Sequence, residues 1–225
     1  MSVPTATAPT TGGEEYLQAI WTIADDGGPV IGARLAEFMG ISPASVSEMI
    51  HRLERDGLLA FNDRKEIVLT ARGDELARRI IRRHRLIERM LTDLLGYEWW
   101  KTHEEAERLE HAISPEMEQK LAERLGDPET CPHGNPMPGT TRRRWSQPLE
   151  RAVIGEPVVI ERIPDQYEHE PGFLEYLDGQ GLRPGTTIRL LERAADRIVV
   201  DVVGAPRAVR PDCATKVWVR PAAPA

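Results

Sequence analysis

From residue 14 to residue 25 the apolar side chains Tyr16, Leu17, Ile20, Trp21 and Ile23 return at the spacing of one helix face. A turn over 25–29 separates this helix from a second, shorter one predicted over about 32–38, and Gly40 supplies the break behind it. Ser42 then offers a capping hydroxyl, and Pro43 stands at the first helical position, where its missing N–H costs nothing. Val46, Met49, Ile50 and Leu53 follow at i, i+3, i+4 and i+7 as the buried stripe of a third helix. Asp56 and Gly57 end it. The period then changes from the helical one to that of strands, with 58–61 and 67–69 reading as a hairpin around the charged turn 62–66.

A long helix is predicted over 70–95, with Leu76, Ile80, Ile81, Leu86 and Leu91 as its apolar positions, followed by a helix pair over about 98–113 and 115–125. Residues 127–148 carry five prolines and the basic run Arg142, Arg143 and Arg144, the composition of a linker. Beyond them short β-like runs appear at 158–163, 187–192, 198–203 and 216–219, with turn signals at Pro184-Gly185, Gly204 and Pro206 and room for one helical turn at 174–177. A small β-barrel fits this pattern. The expected organisation is a disordered tail over 1–13, a winged helix-turn-helix over 14–74, a helical domain over 75–126, a linker over 127–148 and a β domain over 149–225, mainly α with a small β part.

Composition narrows the function classes. An apolar content of 40% without a run long enough to span a bilayer predicts a soluble chain, and the small, polar N-terminal stretch lacks the features of a signal peptide, so the expected compartment is the cytoplasm. Cys131 and Cys213 form no disulfide framework and no CxxC pair, and read as ordinary free thiols. The net charge of −7 is awkward for binding phosphates, but charge is unevenly placed. Between 77 and 89, Arg78, Arg79, Arg82, Arg83, Arg85 and Arg89 stand against Glu88 alone, whereas acid gathers over 98–129.

A helix-turn-helix presents the start of its second helix to base edges in the major groove. The groove-facing candidates are Ser42, Ala44, Ser45, Ser47 and Glu48, with His51 and Arg52 nearer the backbone and Arg64 and Lys65 at the hairpin tip for phosphates. Glu48 can accept from a cytosine amino group or pair with Arg52 one turn on. The same bundle with a hairpin also serves as a protein-interaction module. A second constellation lies in the helical domain. His84 and Glu88 are four apart, and His103, Glu107, Glu110 and His111 share one broad face of the next helix. Imidazole and carboxylate are ligands that Mn²⁺, Fe²⁺ and Zn²⁺ share, and no cysteine falls in this set.

Taken jointly, Glu15-Tyr16-Leu17, the stretch 42–58 (SPASVSEMIHRLERDGL), Arg83 to Leu86 with Glu88, HEEAERLEH at 103–111 with Ser114, and HGNPMPG at 133–139 resemble the diphtheria-toxin-repressor and iron-dependent-regulator family over roughly residues 14–220. The resemblance implies a winged-helix domain, a metal-binding and dimerisation domain, and a C-terminal SH3-like (FeoA-like) domain. It implies a homodimeric repressor bound to a palindromic double-stranded operator near metal-uptake genes. By the same resemblance Glu15, Glu107, Glu110 and His111 make a regulatory metal site, and His84, Glu88 and His103 an ancillary one. The third domain would add a ligand from Glu168, His169 or Glu170. Iron-responsive members carry Met and Cys where this chain has Glu15 and Glu107, which places it with the manganese-responsive branch. Glu48 departs from the Gln of the iron regulators. The expected ion is Mn²⁺, with Fe²⁺ as the alternative and Zn²⁺, Co²⁺ or Cd²⁺ as substitutes in vitro. Competing readings are a metalloenzyme, against which no general base beside a substrate pocket is visible, and a metal buffer that binds no DNA.

Overall fold

The computed structural model describes residues 10–140 and 146–222, which form two compact units, one ending at Arg83 and the other beginning at His84. In the first unit, helix α1 (Thr11–Asp25) starts three residues earlier than the tail expectation allows, because Tyr16, Leu17 and Ile20 are buried and helical geometry extends back to Thr11. The rest of the expected tail, residues 1–9, lies outside the described residues.

Helix α2 (Gly32–Met39) stops at Gly40, whose φ of 64° is the left-handed conformation that ends helices. Helix α3 (Pro43–Arg55) starts as its sequence dictates, with the Ser42 hydroxyl accepting from the Ser45 N–H at 3.2 Å. Strands β1 (Leu59–Phe61) and β2 (Ile67–Leu69) pair antiparallel, Leu59 opposite Leu69 and Phe61 opposite Ile67. The Asn62 side chain organises the tip, accepting from the N–H groups of Arg64 and Glu66 at 2.9 Å each. Helix α4 (Ala71–Arg89) is capped by Thr70, which donates to the Gly57 carbonyl and accepts from Gly73. Gly73 is required there, since a Cβ would overlap the Leu58 carbonyl. Leu17, Ile20, Leu35, Val46, Leu53, Leu58, Ile67, Ala77 and Ile81 close the core of this unit. Each large aliphatic side chain so buried contributes roughly 1.5–3 kcal/mol.

In the second unit the end of α4 passes into a π-helical turn, Met90–Leu94, where the Thr92 hydroxyl donates to the Glu88 carbonyl at 2.9 Å and competes with regular helix bonds. A 3₁₀ turn at Trp99–Lys101 leads into α5 (Thr102–Leu109), shorter than the helix expected over 98–113. Helix α6 (Pro115–Leu125) is bounded by the Ser114 cap and by Gly126 in the left-handed region.

The proline-rich stretch does not behave as a linker where it is described. Residues 127–140 are folded by turns and a bridge between Thr130 and Pro136, and they bury Cys131, His133, Asn135 and Met137. Arg142, Arg143 and Arg144 lie outside the described residues.

The remainder is a six-stranded antiparallel sheet of β3 (Gln147–Pro148), β4 (Pro157–Arg162), β5 (Thr187–Arg193), β6 (Ile198–Val202), β7 (Ala205–Val209) and β8 (Trp218–Pro221), in the order β3-β8-β4-β5-β6-β7. Register shifts at Ile160/Arg162 and Leu190/Glu192 bend it. Helix α7 (Phe173–Gln180) is two turns rather than one, and packs Phe173, Leu174 and Leu177 on Ile160, Leu190 and Val200. Strands β3 and β7 were not expected. The run at 216–219 becomes a strand only from Trp218, because the short helix α8 (Cys213–Lys216) buries Cys213 and Ala214 first. Among the described residues no helix is long and apolar enough to cross a membrane.

Candidate metal centre

The α3 face of the first unit is open. Ser42, Ala44, Ser45, Ser47, Glu48, His51 and Arg52 are all exposed along α3, and Arg64 and Lys65 are exposed at the hairpin tip, Lys65 with a φ of 59°. The ion pair on α3 joins His51 to Glu54 at 3.5 Å rather than Glu48 to Arg52. Glu15 lies on α1 of this unit and is exposed.

In the second unit the structure gathers donors from four stretches of chain. His84 and Glu88, one turn apart on α4, are buried, with His84 Nε2 3.3 Å from Glu88 Oε1. His84 Nδ1 lies 2.8 Å from Glu110 Oε2, just past the end of α5. His103 on α5 places Nδ1 3.1 Å from His84 Nε2, 3.3 Å from Glu88 Oε1 and 2.8 Å from Glu168 Oε2. His133 Nδ1 is 3.1 Å from Glu88 Oε1 and 3.5 Å from Glu168 Oε2. Cys131, 1% exposed, joins Glu88 and His133 in a grouping with metal-ligand spacing, as do His84, Glu88 and His103. His111 reaches Glu110 at 3.4 Å and is partly exposed, and Glu107 lies at the cluster's outer edge, 3.7 Å from His103 Nε2.

Around these donors a buried scaffold fixes positions. Asn135 donates to Glu168 Oε1 at 2.6 Å and to the Ile163 carbonyl, and Arg162 donates to Asn135 at 3.1 Å. Arg85, fully buried, donates to both oxygens of Asp165 at 2.9 and 3.0 Å and to the Pro136 carbonyl. The two arginines hold the segment that carries Cys131 and His133 against the turn that carries Glu168.

Burial favours neutral groups, yet here opposite charges outweigh it. Burial pushes the His84 imidazole down, but Glu88 and Glu110 carry it up to about 9. His103 is likewise held well above its ordinary value against burial by Glu168 and Glu88, and His133 is raised by the same two carboxylates. Burial would raise the Glu88 carboxyl, but His133 and His84 hold it well below the usual range. The Cys131 thiol is pushed far up by burial and by Glu88 and Glu168. The carboxylates thus favour the protonated form of these imidazoles. Glu88 Oε2 is buried without a hydrogen-bonding partner among the described residues, an unusual cost in a folded interior. A divalent cation fits this donor set: it would meet the orphaned Glu88 oxygen and displace the imidazole protons.

Three expectations gain detail. Cys131 and Cys213 are both free and buried, Cys213 in the β-domain core and Cys131 in metal-ligand spacing with Glu88 and His133, beside the oxygen and nitrogen donors. Of the three consecutive third-domain candidates, Glu168 faces the cluster, His169 flanks it, and Glu170 turns away to Lys216 at 2.5 Å and Arg210 at 3.3 Å. His133 was visible only as part of a motif. The signal that could have found both missed donors is Cys-Pro-His itself, two metal-binding side chains one residue apart.

Comparison with known proteins agrees with this layout. Residues 10–67 match the description "Iron dependent repressor, N-terminal DNA binding domain", residues 70–139 "Iron dependent repressor, metal binding and dimerisation domain", and residues 147–221 "FeoA domain". The chain is 30% identical over 203 residues to the iron-dependent repressor IdeR of Mycobacterium leprae, covering 85% of this chain and 88% of that one. Among solved structures it is similar to a manganese-dependent transcriptional repressor in complex with manganese, with a TM-score of 0.82, 32% identity, and coverage of 93% and 100% of the two chains. It is also similar to IdeR of T. acidophilum, with a TM-score of 0.73, 28% identity, and coverage of 99% and 100%.

Proposed function

We propose that this chain, which belongs to the iron-dependent repressor family and is a metal-dependent transcriptional repressor of that family, responds to Mn²⁺ and represses metal-uptake genes in the cytoplasm as a homodimer on palindromic operators. The observation that carries a metal-switched reading is the buried cluster around Glu88, where an orphaned carboxylate oxygen stands among three imidazoles and a thiol. Family membership and the open face of α3 support the DNA half.

In this reading Glu107, Glu110 and His111 hold the regulatory cation together with Glu15. A divalent cation there would neutralise the charge of these carboxylates. His84, buried between Glu88 and Glu110, orients the Glu110 carboxylate for that role. Two α3 helices of a dimer then meet successive major grooves, with half-sites about 34–36 Å apart. Binding that favours the DNA-competent state obliges DNA to tighten metal in return.

Manganese is favoured by hard oxygen ligands at Glu15 and Glu107. Iron is the second reading, and Cys131 favours it: a thiol suits Fe²⁺, Zn²⁺ and Co²⁺ better than Mn²⁺. Anaerobic titration of Mn²⁺ and Fe²⁺ into an operator-binding assay at fixed salt separates them. Glu110→Gln is expected to abolish the metal response in that assay while leaving the fold intact, and an unchanged response would remove Glu110 from the regulatory site.

A further inference from the structure

Two glutamates of the β domain stand two positions apart, and only the first reaches the buried centre: Glu168 Oε2 lies 2.8 Å from His103 Nδ1. Glu170 is bound instead to its own domain. The Lys216 ammonium directs its three donors at Glu170 Oε1 (2.8 Å), Glu170 Oε2 (2.5 Å) and Asp212 Oδ2 (2.8 Å). Arg210 donates to both Asp212 oxygens, at 3.0 and 2.5 Å, and to Glu170 Oε1 at 3.3 Å. We propose that this clamp makes Glu170 a positioning residue for the metal centre: held by Lys216 and Arg210, it fixes the turn that delivers Glu168, and so sets the affinity of the buried site without touching the metal.

The reach of the chain makes the coupling tight. Two residues span at most about 7 Å, so a Glu170 carboxylate anchored to α8 leaves the Glu168 backbone little room to move. Backbone bonds carry the constraint along the turn: the Phe173 N–H donates to the Glu170 carbonyl at 3.0 Å, that of Glu170 to Tyr167 at 3.3 Å and that of Glu168 to Asp165 at 3.0 Å. Asp165 is itself held by Arg85 at 2.9 Å. Glu168 therefore stands between two charge anchors, one on each side. Charge balance makes the second anchor firm. Glu170 and Asp212 match Lys216 and Arg210, and the rings of Phe173 and Tyr167 lie 5.0 and 5.6 Å from the Lys216 ammonium, where they attract it and limit competing water. Removing Lys216 or neutralising Glu170 loosens the turn on one side only. Loss of Lys216 also leaves a second carboxylate, two residues from the ligand, free to compete with Glu168 for the imidazoles. Residues that orient a ligand in this way are commonly worth at least tenfold in metal affinity.

The inference rests on the reading that Glu168 faces a bound cation, and a double-mutant cycle separates the two. Full-length parent, Glu168→Gln, Glu170→Gln, Lys216→Met and the two doubles with Glu168→Gln are titrated with Co²⁺ by equilibrium dialysis, with circular dichroism and urea midpoints recorded alongside. Glutamine keeps the size of the Glu170 side chain, so that variant is expected to fold. Glu168→Gln is expected to weaken one class of sites, which marks the buried centre. Glu170→Gln and Lys216→Met are expected to weaken that same class about tenfold, to leave other classes within about twofold, and to change nothing further once Glu168 is already Gln. A clamp that only stabilises the β domain would lower affinity equally in both backgrounds, or lower the urea midpoint with affinity unchanged, and either result would overturn the positioning role while leaving the metal reading intact. A Glu168→Gln protein with the parent's affinity would overturn both.

Discussion

Removing metal and raising pH should destabilise the second unit, and His84 sets the size of the effect. Its folded value of about 9 against an ordinary 6.5, at about 1.4 kcal/mol for each tenfold change, corresponds to about 3 kcal/mol of stability. Because the folded value is the higher one, that contribution is complete below pH 6.5 and is lost as pH rises through about 9. Roughly 2 kcal/mol should disappear between pH 6.5 and 8.5. His103 and His133, also raised, act in the same direction. His169 is pushed down to about 4 by burial and by repulsion from His103 and His84, so its effect falls below pH 6.5, outside the window. The assay is urea unfolding in chelator, followed by tryptophan fluorescence; Trp99, Trp100 and Trp218 lie in this unit and report on it. The unfolding midpoint should fall over this range in chelator and rise when a divalent ion is present, since ligation needs deprotonated imidazoles. Glu110→Gln, which removes the 2.8 Å partner of His84, should flatten the chelated profile. A chelated midpoint that is level or climbs from pH 6.5 to 8.5 would refute the proton-loaded cluster.

Other substitutions probe the frame around the two sites. Gly73→Ala forces a Cβ onto the Leu58 carbonyl and should cost about 1–3 kcal/mol by overpacking; an unchanged urea midpoint would mean that α4 does not sit this close to the hairpin. Ser42→Ala deletes the α3 cap and should cost about 1 kcal/mol, read as a lower melting temperature of the first unit with little change in its helix content at 20 °C. Arg85→Leu strands Asp165 in a buried setting and should cost about 3–5 kcal/mol. The double variant with Asp165→Leu should recover much of that loss, and failure to recover would mean that packing, not charge, makes Arg85 necessary.

Much of this was legible along the chain. Ser42, Pro43 and the Val46 to Leu53 stripe specify α3 by local chemistry, and His103 with Glu107 falls on one face of α5 by spacing alone. The donors at Cys131 and His133 were not legible, because they lie in a segment with neither helical nor strand period. Its proline content suggests solvent, whereas its burial depends on partners as distant as Ile163, Arg162 and Glu168. The choice among Glu168, His169 and Glu170 had the same difficulty. They follow a single 3₁₀ turn, Asp165–Tyr167, too short for periodicity to say which side chain faces inward. Strand β7 escaped notice because its five residues, Ala205–Val209, are exposed except for Val209 and show no alternation.

The buried donors also bear on how the protein is made. Glu88 and Glu168, both in contact with His133, are eighty positions apart in the chain, so the pocket cannot close when the helices alone are in place. It waits for the slowest kind of contact to form, one between segments distant in sequence. A ribosome-bound chain that ends before β4 would therefore present His84, Glu88 and His103 without Glu168 to balance their charge. Metal capture by the full pocket, as proposed, would thus be a late event in biogenesis, available only to molecules whose C-terminal sheet has already folded.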